Sequence, residues 1–114
     1  MPLSQIWLPN GNTRTPFLIS KIICFLGDNQ YATIYYLDEE NNLQSLTVTV
    51  SLFLLEKKMK THHFLRATKS ALVNISYITK FETKGKGKIT VRLINKIFTL
   101  SKKAKQLFIT ITKI

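Results

Sequence analysis

The sequence has little of what disulfide-bonded and membrane-spanning proteins need. Cys24 is the one cysteine among 114 residues, so no internal disulfide is possible and no oxidising compartment is required. Its apolar surroundings indicate a buried hydrophobe rather than a reactive thiol. The longest apolar stretches, residues 17–26 and 52–55, are short or interrupted by Lys21, which predicts no transmembrane span. No signal peptide is recognised, and the expected location is the cytoplasm.

Acidic residues are also scarce. Six acidic residues face seventeen basic ones, which gives a net charge of +11. Residues 1–50 hold two basic and four acidic residues (net −2), whereas residues 51–114 hold fifteen and two (net +13). A basic half of this kind indicates a polyanionic partner, with nucleic acid favoured over a membrane surface because no long amphipathic basic helix is present.

The sequence offers no pattern typical of a catalytic or metal site. No Ser-His-Asp or Cys-His set has a spacing that indicates catalysis, so no enzyme activity is expected. His62 and His63 are adjacent but lack cysteine or carboxylate partners in register, and no metal or other cofactor is expected. The turn Gly85-Lys86-Gly87 lacks the spacing of a phosphate-binding loop, although its lysines add positive charge.

The pattern of apolar segments predicts a mainly β fold of antiparallel strands, with one or two short helices. All three prolines fall within residues 1–16, which predicts an irregular N-terminal arm, with a brief strand over residues 5–8 as a further possibility, before a single domain over residues 17–114. Strands are predicted at residues 17–26, 31–37, 43–50, 77–83, 88–94 and 97–100, and helices at residues 52–60 and 102–107. Residues 108–114 fit a strand, which their β-branched side chains favour, or a continuing helix.

Local signals support the two helices. Ser51 and Ser101 are predicted N-caps, because a serine hydroxyl can accept a hydrogen bond from an amide of the first turn. The apolar stripe of the first helix consists of Leu52, Leu55 and Met59. Glu56 and Lys60 lie four residues apart on it, in the order that favours an ion pair.

The most informative stretch is FLRATKSALVNI, at residues 64–75. Its apolar ends are expected to be buried, while the centre gathers two cations and two hydroxyls without an acidic residue. The order aromatic-x-Arg-x-x-basic-Ser-x-apolar-Val-Asn, followed by a short basic hairpin and by Leu-Ser-Lys-Lys, resembles the LytTR DNA-binding domain of bacterial transcription regulators. The resemblance is strongest over residues 61–108 and extends more loosely from residue 17 onward. It implies a fold of small antiparallel sheets packed together, with a helix between groups of strands.

The resemblance implies that loops and strand ends contact DNA, with two loops entering successive major grooves and a third touching the backbone between them. The corresponding loops here are residues 27–32, 66–70 and 101–105. The candidate base-reading residues are Lys69, Lys102, Asn29 and Gln30, and the candidate backbone contacts are Arg66, Ser70, Ser101, Lys103 and Lys105. A lysine in the major groove can donate to N7 and O6 of guanine, and an amide side chain can pair with adenine.

Three positions depart from the family pattern. Thr68 replaces the usual histidine and Ala71 the usual bulky aromatic residue, while Lys102 replaces the usual arginine. A lysine keeps the charge but lacks the bidentate fork, so weaker base discrimination is expected at that position. Asn74 matches the family asparagine and is expected to be a structural turn residue.

The function that these features indicate is a sequence-specific, stand-alone transcription regulator bound to double-stranded DNA. The resemblance implies two copies on paired direct repeats, with an inhibitory partner protein as a further possibility and no small-molecule substrate. Two alternatives use the same charge. One is a module for RNA or single-stranded nucleic acid, and the other is a basic module that docks an acidic protein.

Overall fold

Ten strands and two helices make up the parts of the chain that the structure, a computed structural model, describes: residues 4–27 and 30–112. The strands are β1 (Gln5–Asn10), β2 (Thr13–Leu18), β3 (Ile22–Gly27), β4 (Ala32–Leu37), β5 (Leu43–Val48), β6 (Phe64–Thr68), β7 (Ala71–Asn74), β8 (Lys80–Lys84), β9 (Lys88–Leu93) and β10 (Lys96–Thr99). The helices are α1 (Leu52–Lys58) and α2 (Lys102–Thr112). The predicted mainly β class is therefore confirmed.

The strands form three antiparallel sheets. A five-stranded sheet has the order β5-β4-β3-β7-β6, a three-stranded sheet has the order β10-β9-β8, and β1 pairs with β2. In the large sheet Leu26 of β3 pairs with Ala71 of β7, and Gly27 pairs with Ala32 of β4. The β3–β4 loop and the β6–β7 turn therefore lie at the same end of the five-stranded sheet.

The five-stranded sheet is buried on both faces. One face packs against the β1–β2 ribbon and the apolar stripe of α1, and the other packs against the three-stranded sheet and α2. The sequence of β3 is almost continuously apolar because both sides of the strand are buried. Ile22 and Phe25 belong to the first core, and Ile23 and Cys24 belong to the second. No helix within residues 4–27 and 30–112 has the length and apolar character needed to cross a bilayer.

Cys24 behaves as the predicted buried hydrophobe. Its side chain has no exposed surface in the second core. Burial raises the pKa of the Cys24 thiol to about 12. The thiol is therefore protonated near neutral pH and is shielded from reagents.

The irregular arm predicted for residues 1–16 is wrong wherever the structure describes it. β1 and β2 pair across their full lengths, from Gln5 with Leu18 to Asn10 with Thr13, around a turn in which Gly11 has a φ of 63°. The prolines that suggested irregular structure are tolerated because each strand of this ribbon has only one partner, so one side of its backbone needs no donor. Pro9 also accepts a hydrogen bond from the amide of Thr49, which attaches the ribbon to the body.

The strand predicted over residues 17–26 is interrupted. β2 ends at Leu18, a 3-10 turn occupies Ile19–Lys21, and β3 begins at Ile22. The apolar run was continuous enough to suggest one strand, but its two halves belong to different sheets.

The chain continues as a helix where β-branched residues favoured a strand, since α2 extends to Thr112. Ala104 and Phe108 lie four residues apart and are both buried in the second core. The hydroxyl groups of Thr110 and Thr112 donate to the carbonyl four residues earlier, which accommodates threonine in the helix. Tertiary packing of one helical face therefore outweighs local propensity here.

Asn74, the last residue of β7, connects this strand to the neighbouring strand β3 and is 4% exposed. Its side-chain amide donates to the carbonyl of Ile22 at 2.8 Å, and its side-chain oxygen accepts from the amide of Ser76 at 3.0 Å. The second bond caps the 3-10 turn Ile75–Tyr77. The asparagine is thus a structural turn residue, as the sequence predicted.

Replacing this asparagine should destabilise the fold. Asn74→Ala leaves a buried carbonyl and a backbone amide without partners, so we expect the free energy of unfolding to fall by about 1–3 kcal/mol. Urea titration followed by circular dichroism measures the change. Ser76→Ala is the matched control because it keeps the backbone amide that Asn74 binds. Equal midpoints for the two variants would contradict this role.

Candidate nucleic-acid interface

Lys69 and Ser70 form the β6–β7 turn and are both exposed. The register shifts between Arg66 and Thr68, so one residue bulges from β6 just before the turn. The hydroxyl oxygen of Thr68 then accepts a hydrogen bond from the amide of Ser70 at 3.0 Å. A threonine that bonds the amide two residues later stabilises a tight turn, so Thr68 has a local structural role here.

Arg66 binds the backbone of the same turn. Its Nε donates to the carbonyl of Thr68 at 3.0 Å, and one terminal nitrogen donates to the carbonyl of Lys69 at 2.7 Å. The other terminal nitrogen lies 2.7 Å from Oε1 of Glu56 on α1. The planar guanidinium thus spans two carbonyls and a carboxylate, and 26% of the Arg66 side chain is exposed.

Two neighbouring segments are attached to this turn by backbone hydrogen bonds. The carbonyl of Ala67 accepts from the amide of Ser101 at 2.9 Å. The carbonyl of Ser70 accepts from the amide of Gly27 at 3.0 Å. Together with the two carbonyls bound by Arg66, four consecutive carbonyl oxygens each accept a hydrogen bond. The backbone of the turn is therefore fixed while its side chains stay exposed.

Gly27 allows the close approach at the first loop. A Cβ on this residue would lie 2.6 Å from the carbonyl oxygen of Tyr31 and 2.7 Å from Cα of Ala32, both backbone atoms. Gln30 is exposed in this loop, three residues after Gly27, whose amide bonds the β6–β7 turn. The predicted base reader Asn29 lies outside the described residues.

The third predicted loop leads into α2. The hydroxyl oxygen of Ser101 accepts from the amide of Ala104 at 3.1 Å, which confirms the predicted helix cap. Lys102 and Lys103 are exposed in the first turn of the helix. The ammonium of Lys105 donates to the carbonyl of Gly87 at 2.8 Å, so α2 is also joined to the turn between β8 and β9.

The structure thus brings together the segments that contain the predicted residues. The β6–β7 turn is the centre, with Gly27 at the end of β3 bonded on one side and Ser101, which precedes α2, on the other. The side chains at positions 69, 70, 101, 102 and 103 are exposed, whereas Arg66 is committed to contacts within the protein.

Sequence reasoning missed the partner of Arg66. Glu56 was expected to pair with Lys60, but among the described residues its carboxylate forms an ion pair with Arg66 instead. The turn-forming role of Thr68 was missed as well, because the residue was read only as a substitute for histidine. A threonine two residues before a serine in a polar segment is a recognisable signal for such a turn.

The comparisons with known proteins agree with this geometry. The family model described as the LytTr DNA-binding domain matches residues 13–112. A solved structure, the LytTr DNA-binding domain of a putative methyl-accepting/DNA response regulator from Bacillus cereus, superposes with a TM-score of 0.69. It is 17% identical, and the match covers 97% of this chain and 98% of that chain. No curated protein matches.

The family match covers most of the chain, and the fold agrees with the solved domain. The class of protein is therefore a β-rich DNA-binding domain. Within that class, the chain belongs to the LytTR family.

Proposed function

We propose that this protein is a sequence-specific regulator of transcription that enters successive major grooves of double-stranded DNA with two loops and touches the backbone between them with a third. The observation that supports this most directly is the hydrogen bonding of the β6–β7 turn to both neighbouring loops. This bonding joins backbone segments from three distant parts of the chain, two of which carry the exposed cations Lys69, Lys102 and Lys103. Because backbone hydrogen bonds hold this turn in place, its side chains can be presented to base edges in a fixed arrangement.

The candidate side chains form two groups, those that read bases and those that contact phosphates. Lys69 and Lys102 are the main base readers, each able to donate to acceptors on guanine in the major groove. Asn29 and Gln30 are the corresponding candidates in the first loop. The proposed phosphate contacts are Ser70, Ser101, Lys103 and Lys105, to which Arg66 is added if its guanidinium retains a free donor towards DNA.

Ser101 can serve two roles at once. Its oxygen accepts the capping bond from Ala104, while its hydroxyl proton is still available to a phosphate oxygen. Lys105 likewise uses one of three ammonium protons on Gly87. We further propose that two copies occupy paired direct repeats, with an inhibitory partner protein as one route of control.

Competition between nucleic acids tests the proposal. We expect labelled duplex DNA to be displaced by duplex competitor more effectively than by single strands or structured RNA. If six to ten phosphates are contacted, affinity should fall by about 10³–10⁵-fold between about 50 and 200 mM salt. Selection from a random duplex pool should then give a preferred site and any repeat spacing. Preference for RNA or single strands, or indifference to all nucleic acids, would refute the proposal.

Single substitutions separate base reading from phosphate binding. Lys69→Ala and Lys102→Ala should each relax the base preference at one position of the selected site, at a cost of about 1–3 kcal/mol. Affinities for the selected duplex and for variants with one altered base pair measure this effect. Lys80→Ala is the control, since it removes an exposed lysine from the three-stranded sheet. Equal losses on selected and random duplex would contradict base reading.

A further inference from the structure

We propose that Arg66 is a positioning residue for DNA reading, anchored by Glu56, rather than a phosphate contact. This inference rests on the proposed function and assigns a different task to one residue of the same site. Its basis is the set of three hydrogen bonds that the guanidinium makes inside the protein, all between 2.7 and 3.0 Å. The bonds to backbone end on the carbonyls of Thr68 and Lys69, so the side chain fixes the peptide units on either side of Lys69, the proposed base reader.

Geometry favours a positioning role. The bulge after Arg66 lets its side chain extend forward along the chain to the carbonyls two and three residues later. Serving two carbonyls and a carboxylate together requires a rigid, planar group with several donors in fixed directions. A lysine ammonium at this position could satisfy only part of that arrangement. The identity of the residue therefore matters more than its charge.

Electrostatics points the same way. Oε1 of Glu56 lies 2.7 Å from the guanidinium, so the pair has almost no net charge towards a distant phosphate. A phosphate approaching Arg66 would also approach the carboxylate, which would repel it. Removing both charges of the pair should therefore change the salt dependence of binding very little, whereas removing Arg66 alone would leave the Glu56 carboxylate unpaired.

The anchor is itself held in place by the fold. α1 is capped by Ser51, whose hydroxyl oxygen accepts from the amide of Leu54 at 3.2 Å. The apolar stripe of the helix, Leu52, Leu55 and Met59, is completely or almost completely buried in the first core. Glu56 follows Leu55 directly, so its carboxylate projects from a fixed helix. The contacts from Glu56 to Arg66 and from Arg66 to the β6–β7 turn thus connect the first core of the protein to Lys69, the proposed base reader.

Arg66→Lys tests the proposal because it keeps the charge and removes the fork. We expect discrimination at the base pair assigned by Lys69→Ala to fall by about 5- to 150-fold, the range for loss of one base contact. Discrimination at the base pair assigned by Lys102→Ala should stay unchanged, as should the salt slope on random duplex. Arg92→Lys, an exposed arginine on β9, is the matched control.

Glu56→Gln tests the anchor separately. A positioning role predicts weaker discrimination at the base pair assigned to Lys69, even though removal of a negative charge favours DNA in general. A phosphate role predicts the opposite, because a guanidinium released from Glu56 would bind every duplex more tightly. Thermal unfolding of each variant shows whether the domain remains folded under the binding conditions.

Two results would overturn the inference. One is a salt slope that falls in magnitude by about one for the charge-balanced double variant Glu56→Gln/Arg66→Gln, with equal losses on selected and random duplex. The other is tighter binding of both duplexes by Glu56→Gln without loss of discrimination. Either result leaves the proposed function intact, whereas a wild-type protein without a preferred duplex would refute the proposed function itself.

A separate observation concerns the turn between β8 and β9. Lys84, Lys86 and Lys88 are exposed in and beside it, and Lys86 at its tip has a φ of 65°. The left-handed conformation is uncommon for lysine and favours glycine or asparagine, so the charge is retained at a conformational cost. The bond from Lys105 to Gly87 holds this turn beside the first turns of α2. We infer that the turn makes a fourth contact, with the DNA backbone.

Matched triple substitutions test this surface. Changing Lys84, Lys86 and Lys88 to glutamine should lower the magnitude of the salt slope by about 2–3 and leave the selected sequence unchanged. The control changes Lys80 and Arg92, at the other end of β8 and β9, together with Lys96, which pairs with Leu93 at the start of β10. Lys80 and Lys84 match closely, since both lie within 4 Å of Glu82, at 3.7 and 3.8 Å. An equal or larger effect of the control would overturn the inference.

Discussion

The constraint on which the interface depends is the hydrogen bonding of four consecutive carbonyl oxygens, from Ala67 to Ser70. Two of the donors belong to Arg66, and the other two are amides from the end of β3 and the start of α2. A polar turn left to solvent would exchange among many conformations. Here the turn has one backbone arrangement, and the loops on either side are fixed by the same bonds.

The layered fold provides the donors. The five-stranded sheet is buried on both faces, which places α1 on one side of β6 and α2 on the other. α1 contributes the carboxylate of Glu56 that orients Arg66, and the segment before α2 contributes the amide of Ser101. Packing in the two cores therefore fixes the elements that bond the β6–β7 turn, and in this way it fixes the position of a few exposed side chains.

The sequence predicted features that depend on neighbouring residues. The cap at Ser51 and the buried stripe of α1 follow from local spacing, and the mainly β class follows from alternation and turn residues. Features that depend on distant contacts were missed. The partner of Glu56 is ten residues away and beyond the helix, and α2 extends to Thr112 because Ala104 and Phe108 find a core that the sequence does not display.

The proposed recognition loops were identified mainly through the family resemblance, since polar residues between apolar strands are common in β proteins. What the sequence could not show is that Thr68 closes the turn and that Gly27 is needed for a backbone approach. Both depend on distances between atoms that only the folded chain defines.

Carbonyl oxygens belong to every amino acid, and this has an evolutionary consequence. Because the turn is held chiefly through its carbonyls, the residue at position 69 can be exchanged without dismantling the loop around it. Members of a lineage could thus acquire new operator preferences by single codon changes, while the parts that fold the domain remain as they are.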